Sequence, residues 1–167
     1  MLLIQRFSCY TRDKMKFTIP SSLRIEHEEL HEELAKITKE DGKIGDAGRA
    51  VAKVLHPHFV KEEEFALPPL GLLSSLIEGK PASEMTDVLP LTERLGKDIQ
   101  VMLDEHRAIV AQLEVLVDLA RREGRVEYVR FAEKLMLHAQ TEEEVLYPAS
   151  ILVGEYVKGQ NEKEIFS

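Results

Sequence analysis

Six side chains of metal-binding type recur in two matched sets along this chain. The first set runs through Glu26-His27-Glu28-Glu29-Leu30, then His58-Phe59-Val60-Lys61-Glu62-Glu63-Glu64, then Leu67-Pro68. The second runs through Glu105-His106-Arg107-Ala108-Ile109, then His138-Ala139-Gln140-Thr141-Glu142-Glu143-Glu144, then Tyr147-Pro148. The two histidines of a set are 31 residues apart in the first and 32 in the second. Residues four apart on a helix differ by about 40° around its axis and share a face, whereas residues five apart differ by about 140°. His58 with Glu62, and His138 with Glu142, can therefore each aim two ligands at one spot, and Glu62 and Glu142 are better placed than Glu63 and Glu143. His27 and His106 add imidazoles from two further helices.

Two carboxylates facing each other in an apolar core repel and lose hydration, at a cost of about several kcal/mol per ion. They must be protonated, paired with Lys or Arg, or bound to a cation. No Lys or Arg lies on the inward seams, so one or two divalent cations are the expected solution. Imidazole with carboxylate suits iron, zinc or manganese. Two symmetric half-sites are expected, one of His27, His58 and Glu62 and the other of His106, His138 and Glu142, with either Glu able to bridge. His31 and His56 are read as non-ligands, since Val110 and Met136 stand in their places in the second set; His31 is the nearer of the two to an extra ligand. Tyr147 is read as packing, with an inner-sphere neighbour of the metal as the alternative.

The elements that must position these groups are helices. Pro20-Ser21-Ser22 reads as a start with a Ser cap, and Leu23, His27, Leu30, Leu34 and Ile37 step by four and three. A loop at 41–46 leads to a second helix over about Ala47–Leu67, capped by Asp46, with Val51, Val54 (with Leu55), His58, Glu62 and Phe65 inward. Pro57 should kink or loosen the turn before His58, and Pro68-Pro69 should end the helix. Leu70–Ile77 reads as a short connector. Pro90 is expected to divide a first turn from a third helix carrying Ile99, Met102, His106, Ile109, Leu113, Leu116 and Ala120, which Gly124 closes. The fourth carries Phe131, Leu135, His138, Glu142 and Val145 and ends at Pro148; a partial turn and a polar tail should follow. The fold class expected is all-α, an antiparallel up-down four-helix bundle with an internal two-helix repeat. It comprises an N-terminal extension over 1–20, the bundle over 21–150 and a C-terminal tail over 151–167.

With 167 residues, 44% hydrophobic and 31% charged, the chain suits one domain with a sizeable core. A formal charge of −8 makes nucleic acid and anionic membrane surfaces poor partners. Cys9 is the only cysteine, which rules out an internal disulfide or a thiolate cluster and agrees with a reducing cytoplasm. No apolar run reaches the ~20 residues of a membrane helix. The segment Met1–Lys16 lacks the apolar stretch of a signal peptide. Met15 is an alternative start, and Leu2, Leu3, Ile4 and Phe7 would dock the preceding tail or leave it loose.

His27, the His58-x-x-x-Glu62 pair, His106 and the His138-x-x-x-Glu142 pair together resemble the hemerythrin-like, or HHE cation-binding, family over residues 22 to 150. The resemblance implies a non-haem di-iron centre with an oxo, hydroxo or carboxylate bridge. The oxygen-carrying members have a further His one turn after the third-helix His, where Val110 stands here. They take an Asp five positions after the fourth-helix His, where this chain has Glu143. The richer carboxylate set is closer to the iron-sensing, oxygen-responsive and di-iron repair members.

Three functions follow as expectations. The first is a binding protein whose two irons meet O2, NO or peroxide in sensing, storage or scavenging. The second is a di-iron oxidase, a peroxide- or NO-detoxifying enzyme or an iron-centre repair enzyme. The third is a structural zinc or mononuclear site. No catalytic constellation is seen apart from the metal ligands.

Overall fold

The computed structural model describes residues 17–165, so the expectations placed on residues 1–16 lie outside it. The described residues form helices and turns with no strand. In chain order the α-helices are α1 (Ser21–Ile37), α2 (Gly42–Lys61), α3 (Leu73–Ile77), α4 (Leu89–Arg122), α5 (Val126–Thr141) and α6 (Tyr147–Ile165). A π-helical turn over Glu62–Ala66 extends α2, and another over Glu142–Leu146 joins α5 to α6. Tight 3-10 turns over Pro68–Leu72 and Ala82–Val88 flank α3. Among the described residues, no helix is long and apolar enough to cross a membrane.

α1, α2, α4 and α5 pack around a core in which Leu30, Leu34, Ile37, Val51, Leu55, Leu113 and Phe131 are buried. A second apolar layer, Phe65, Ala66, Leu95, Met102 and Tyr147, lies further along the same helices. Chain order locates what separates them. On α4, His106 falls between Met102 and Ile109. On α2 and its π turn, His58 and Glu62 fall between Leu55 and Phe65. On α5 and its π turn, His138 and Glu142 fall between Leu135 and Tyr147. One polar layer is thus sealed between two apolar ones.

The π turns have a sequence cause. Each is followed after one residue by a proline: Leu67-Pro68 and Tyr147-Pro148. A proline ring clashes with the carbonyl four residues back and lacks a donor. The wider turn accommodates it, with Leu67 N–H and Tyr147 N–H donating to the carbonyls of Glu62 and Glu142 five residues back, the first at 2.9 Å. In both copies the widened turn starts at the inward glutamate. Val145, expected inward, is exposed, although Phe65 at the same place in the first turn is buried.

Several local expectations change. Neither α1 nor α2 has a side-chain cap; Pro20 and Asp41 hold the cap positions, and Gly42 starts α2 at φ 72°, five residues earlier than expected. Asp46 pairs with Arg49 instead. Pro57 leaves α2 continuous, and the loosened turn comes at Glu62. Pro90 lies in the first turn of α4, where a missing donor costs nothing, rather than dividing it. Gly124 closes α4 as expected, with Arg125 N–H on Ala120 O at 2.8 Å and Gly124 N–H on Arg121 O at 3.3 Å.

The largest difference is at the C-terminus. In place of a partial turn and tail, α6 continues to Ile165. Pro148 sits in its first turn, where the preceding π turn has already opened the ladder. Val153 and Val157 pack with Phe17, Leu72, Ala82, Met85 and Val88 in a small separate core under the crossover. Gly154 permits this, because a Cβ there would meet the Thr92 hydroxyl at 2.0 Å.

Candidate metal centre

The six residues singled out by spacing lie together in the polar layer. Their relative exposures are 2% for His27, 1% for His58, 0% for Glu62, 2% for His106, 4% for His138 and 1% for Glu142, so none relies on water for its polar partner. They form two overlapping groups, each with ligand atoms within 4.8 Å of one another: His27, Glu62, His138 and Glu142, and His58, Glu62, His106 and Glu142. The expected half-sites are therefore regrouped. Each imidazole pair is drawn from both copies, His27 with His138 and His58 with His106, and both glutamates belong to both groups. The reason is tertiary: a helix pairs its inward face with whichever helix lies opposite, not with its neighbour in sequence.

In the first group, His27 Nε2 is 3.7 Å from Glu62 and 3.6 Å from Glu142, and His138 Nε2 is 3.1 Å from Glu142. The first two are too long for hydrogen bonds and the third is not aligned as one. His27 Nε2, His138 Nε2, Glu62 Oε2 and Glu142 Oε1 are all buried without a hydrogen-bond partner. Leaving such atoms unsatisfied costs about 1–3 kcal/mol each. In the second group, His58 Nε2 is 2.9 Å from Glu62 Oε1, and His106 Nε2 is 3.4 Å from Glu142 and 3.8 Å from Glu62.

The electrostatics ask for positive charge. Burial alone pushes the His27 and His106 imidazoles down, but nearby carboxylates outweigh it and raise both to about 10: Glu142, Glu63 and Glu62 for His27, and Glu142 and Glu62 for His106. His58 and His138 are also raised against burial, His58 by Glu62 and Glu105 and His138 mainly by Glu142. Glu142 is held well below the usual carboxylate range, burial being overcome by His106, His138 and His27. The carboxylates thus hold protons on the imidazoles where a metal cation would otherwise supply the charge.

Every outer ring nitrogen faces a further carboxylate. His58 Nδ1 pairs with Glu105 at 2.9 Å and His106 Nδ1 with Glu143 at 2.9 Å. His27 Nδ1 lies 3.5 Å from Glu63, and His138 Nδ1 lies 3.3 Å from Glu26. Such partners orient metal-binding imidazoles and raise their basicity. These four glutamates were not picked out as functional from spacing. Their signal lay in the repeated letters, a Glu before His27 and His106 and a second Glu after Glu62 and Glu142. Lys61 donates to Glu105, which holds that carboxylate in place.

Tyr147 is fully buried, and its hydroxyl donates to Glu62 Oε1 and lies 3.4 Å from His58 Nε2 and 3.3 Å from His106 Nε2. Packing alone does not describe it. Its phenol is pushed up by burial and by the charges of Glu62 and Glu142. His31 does not enter either group; its ring lies edge-on to Phe59 at 4.9 Å and to His56 at 5.7 Å.

Residues 94–161 match the family described as the hemerythrin HHE cation binding domain. The matched segment carries His106, His138, Glu142 and Tyr147, and the resemblance drawn from the sequence agrees with it. No curated protein and no solved structure matches the chain. A domain type that binds metal cations, together with the buried His/Glu groups, suggests metal binding.

Proposed function

We propose that this chain, with its segment of hemerythrin HHE cation-binding type, is a non-haem di-iron protein. In this reading it is an antiparallel up-down bundle of two repeated helical hairpins. His27 and His138 would hold one iron and His58 and His106 the other, with Glu62 and Glu142 shared between them. The observation that carries it is the set of four buried, converging, partnerless atoms: His27 Nε2, His138 Nε2, Glu62 Oε2 and Glu142 Oε1. A cation satisfies all four at once. The mixed imidazole and carboxylate donors suit iron.

Such a centre, when loaded, supplies reversible binding of, or electron exchange with, a small oxidant. The chain's own residues orient and insulate it: Glu26, Glu63, Glu105 and Glu143 fix the imidazole rings, and the two apolar layers limit access of water. O2, NO or peroxide is the proposed partner, in sensing, storage or scavenging. The single cysteine and the net charge of −8 suit a cytoplasmic protein working without nucleic acid.

The test is elemental analysis of the full chain with absorbance spectra in air and after reduction. Two irons per chain, with a spectrum that changes on reduction and on adding NO, is the expected result. A colourless protein holding zinc, or a single ion per chain, overturns the di-iron reading.

A further inference from the structure

We propose that Tyr147 is a seventh protein ligand, its phenolic oxygen coordinating the metal held by His58, His106 and Glu62, so that the two metal positions are chemically unlike. This inference rests on the di-metal reading above.

The Tyr147 hydroxyl lies 3.4 Å from His58 Nε2 and 3.3 Å from His106 Nε2, the two imidazoles particular to that group, and donates to Oε1 of the shared Glu62. Donors at about 2.0–2.2 Å from a shared cation and at right angles to each other lie about 3 Å apart. The phenol oxygen is therefore at ligand-to-ligand spacing from two imidazoles that converge on the same point. Its ring lies nearly parallel to that of His106, with centroids 5.7 Å apart and 17° between planes, which fixes the direction of the C–O bond. The backbone adds a second constraint. Tyr147 follows directly on the π turn that begins at Glu142, so the residue that terminates the turn is the one whose oxygen enters the group.

Among the described residues, no such donor reaches the other position. Leu67, which stands where Tyr147 stands in the second copy, is buried and carries no oxygen. On that side the Phe59 ring stacks on His27 at 4.2 Å with 6° between planes. One metal thus gains an anionic oxygen ligand, and its counterpart gains an apolar wall.

As the cation enters, a metal–oxygen bond forms, the phenolic O–H bond breaks and the proton passes to solvent. No electron changes hands. The added negative charge falls on one ion only and makes that ion the harder of the two to reduce.

The full chain, loaded with ferrous iron and oxidised in air to the ferric state, tests this alongside Tyr147→Phe. Phenylalanine keeps the ring against His106 and removes one oxygen, and circular dichroism checks that the helices are retained. The readouts are iron per chain and resonance Raman spectra taken in the visible absorption band. Expected are tyrosine ring modes in the unaltered protein and their complete loss in Tyr147→Phe, with two irons in both. Two irons with no tyrosine modes, or modes that persist in the variant, overturn the ligand assignment and leave the di-iron reading standing. A chain that takes up no iron overturns that reading, and the ligand assignment with it.

Discussion

At the His27/His138 position the four converging atoms have no hydrogen-bond partner, and an apolar ring, Phe59, covers His27. At the His58/His106 position a buried phenol reaches in from Tyr147, and Lys61 anchors the carboxylate that holds His58. Both positions draw on the same two glutamates. The difference comes from residues that the two copies do not share: Phe59 against Ala139, Leu67 against Tyr147, Lys61 against Thr141. Beside His27, the rings of His31, His56 and Phe59 pack on one another. Beside His106, the residues Val110, Met136 and Ala139 stand in their places and line an open cavity of about 360 Å³. A repeated ligand set therefore does not make two equivalent sites. In the proposed reading the shared residues hold the cations, and the unshared neighbours decide how each position differs.

The largest effect is expected where the two positions cannot be separated. Glu142 serves both groups and neutralises His27, His106 and His138. Glu142→Ala should remove at least one metal and leave buried imidazoles without a counter-charge, a loss of about 3–5 kcal/mol. Metal analysis and urea unfolding of the variant measure both. Full occupancy in Glu142→Ala would show that the glutamate is not a required ligand of either position.

A pH series probes what the positions have in common. In the metal-free protein, His27 and His106 bind their protons more tightly folded than unfolded, at about 10 against an ordinary 6.5. Their contribution to stability is fully present below 6.5 and is lost as pH rises through about 10. Glu142 has the opposite sign: held below its ordinary 4.5, it stabilises above that value and loses its contribution as pH falls. The metal-free protein should therefore be most stable between 4.5 and 6.5. Metal competes with these same protons, so its affinity rises with pH. The gap in melting temperature between loaded and metal-free protein should widen steadily from slightly acid to alkaline conditions. A constant gap would mean that protons and metal do not occupy the same atoms.

Much of this centre was legible in the sequence because its inward pairs lie within single helices. His58 with Glu62, and His138 with Glu142, obey the helical period, and the apolar residues before and after them mark the same face. The regrouping of the imidazoles was not legible, since it depends on which helices face each other. Glu26, Glu63, Glu105 and Glu143 act across helices, so no period along one helix reveals their role. For Tyr147 the sequence left both packing and a place beside the site open, because the π turn before it sets the direction of its side chain. α6 was missed for two reasons. Pro148 reads as a stop when the widened turn before it is unknown, and the helix lacks a single apolar stripe, with Val153 and Val157 buried but Leu152 and Tyr156 exposed.

The smallest effect expected is also the one that best separates the positions. Glu105 and Glu26 are corresponding residues, each preceding a histidine of its own copy and each facing the outer nitrogen of a histidine from the other. Glu105 is hydrogen-bonded to His58 at 2.9 Å and is gripped by Lys61, whereas Glu26 stands 3.3 Å from His138 with its side chain 39% exposed. Removing an orienting carboxylate lowers metal affinity about 10–100-fold. Glu105→Gln should fall at the upper end for the His58/His106 position. Glu26→Gln should fall at the lower end for its own, because water can replace a loosely held, partly exposed carboxylate. Competitive chelator titration of each variant reads the two affinities. Lys61→Met in the same assay should reproduce part of the Glu105→Gln loss, by freeing Glu105 to turn away from His58. If the two glutamine variants weaken binding equally and Lys61→Met does nothing, the lysine anchor plays no part, and the asymmetry of the centre must come from Tyr147 and Phe59 alone.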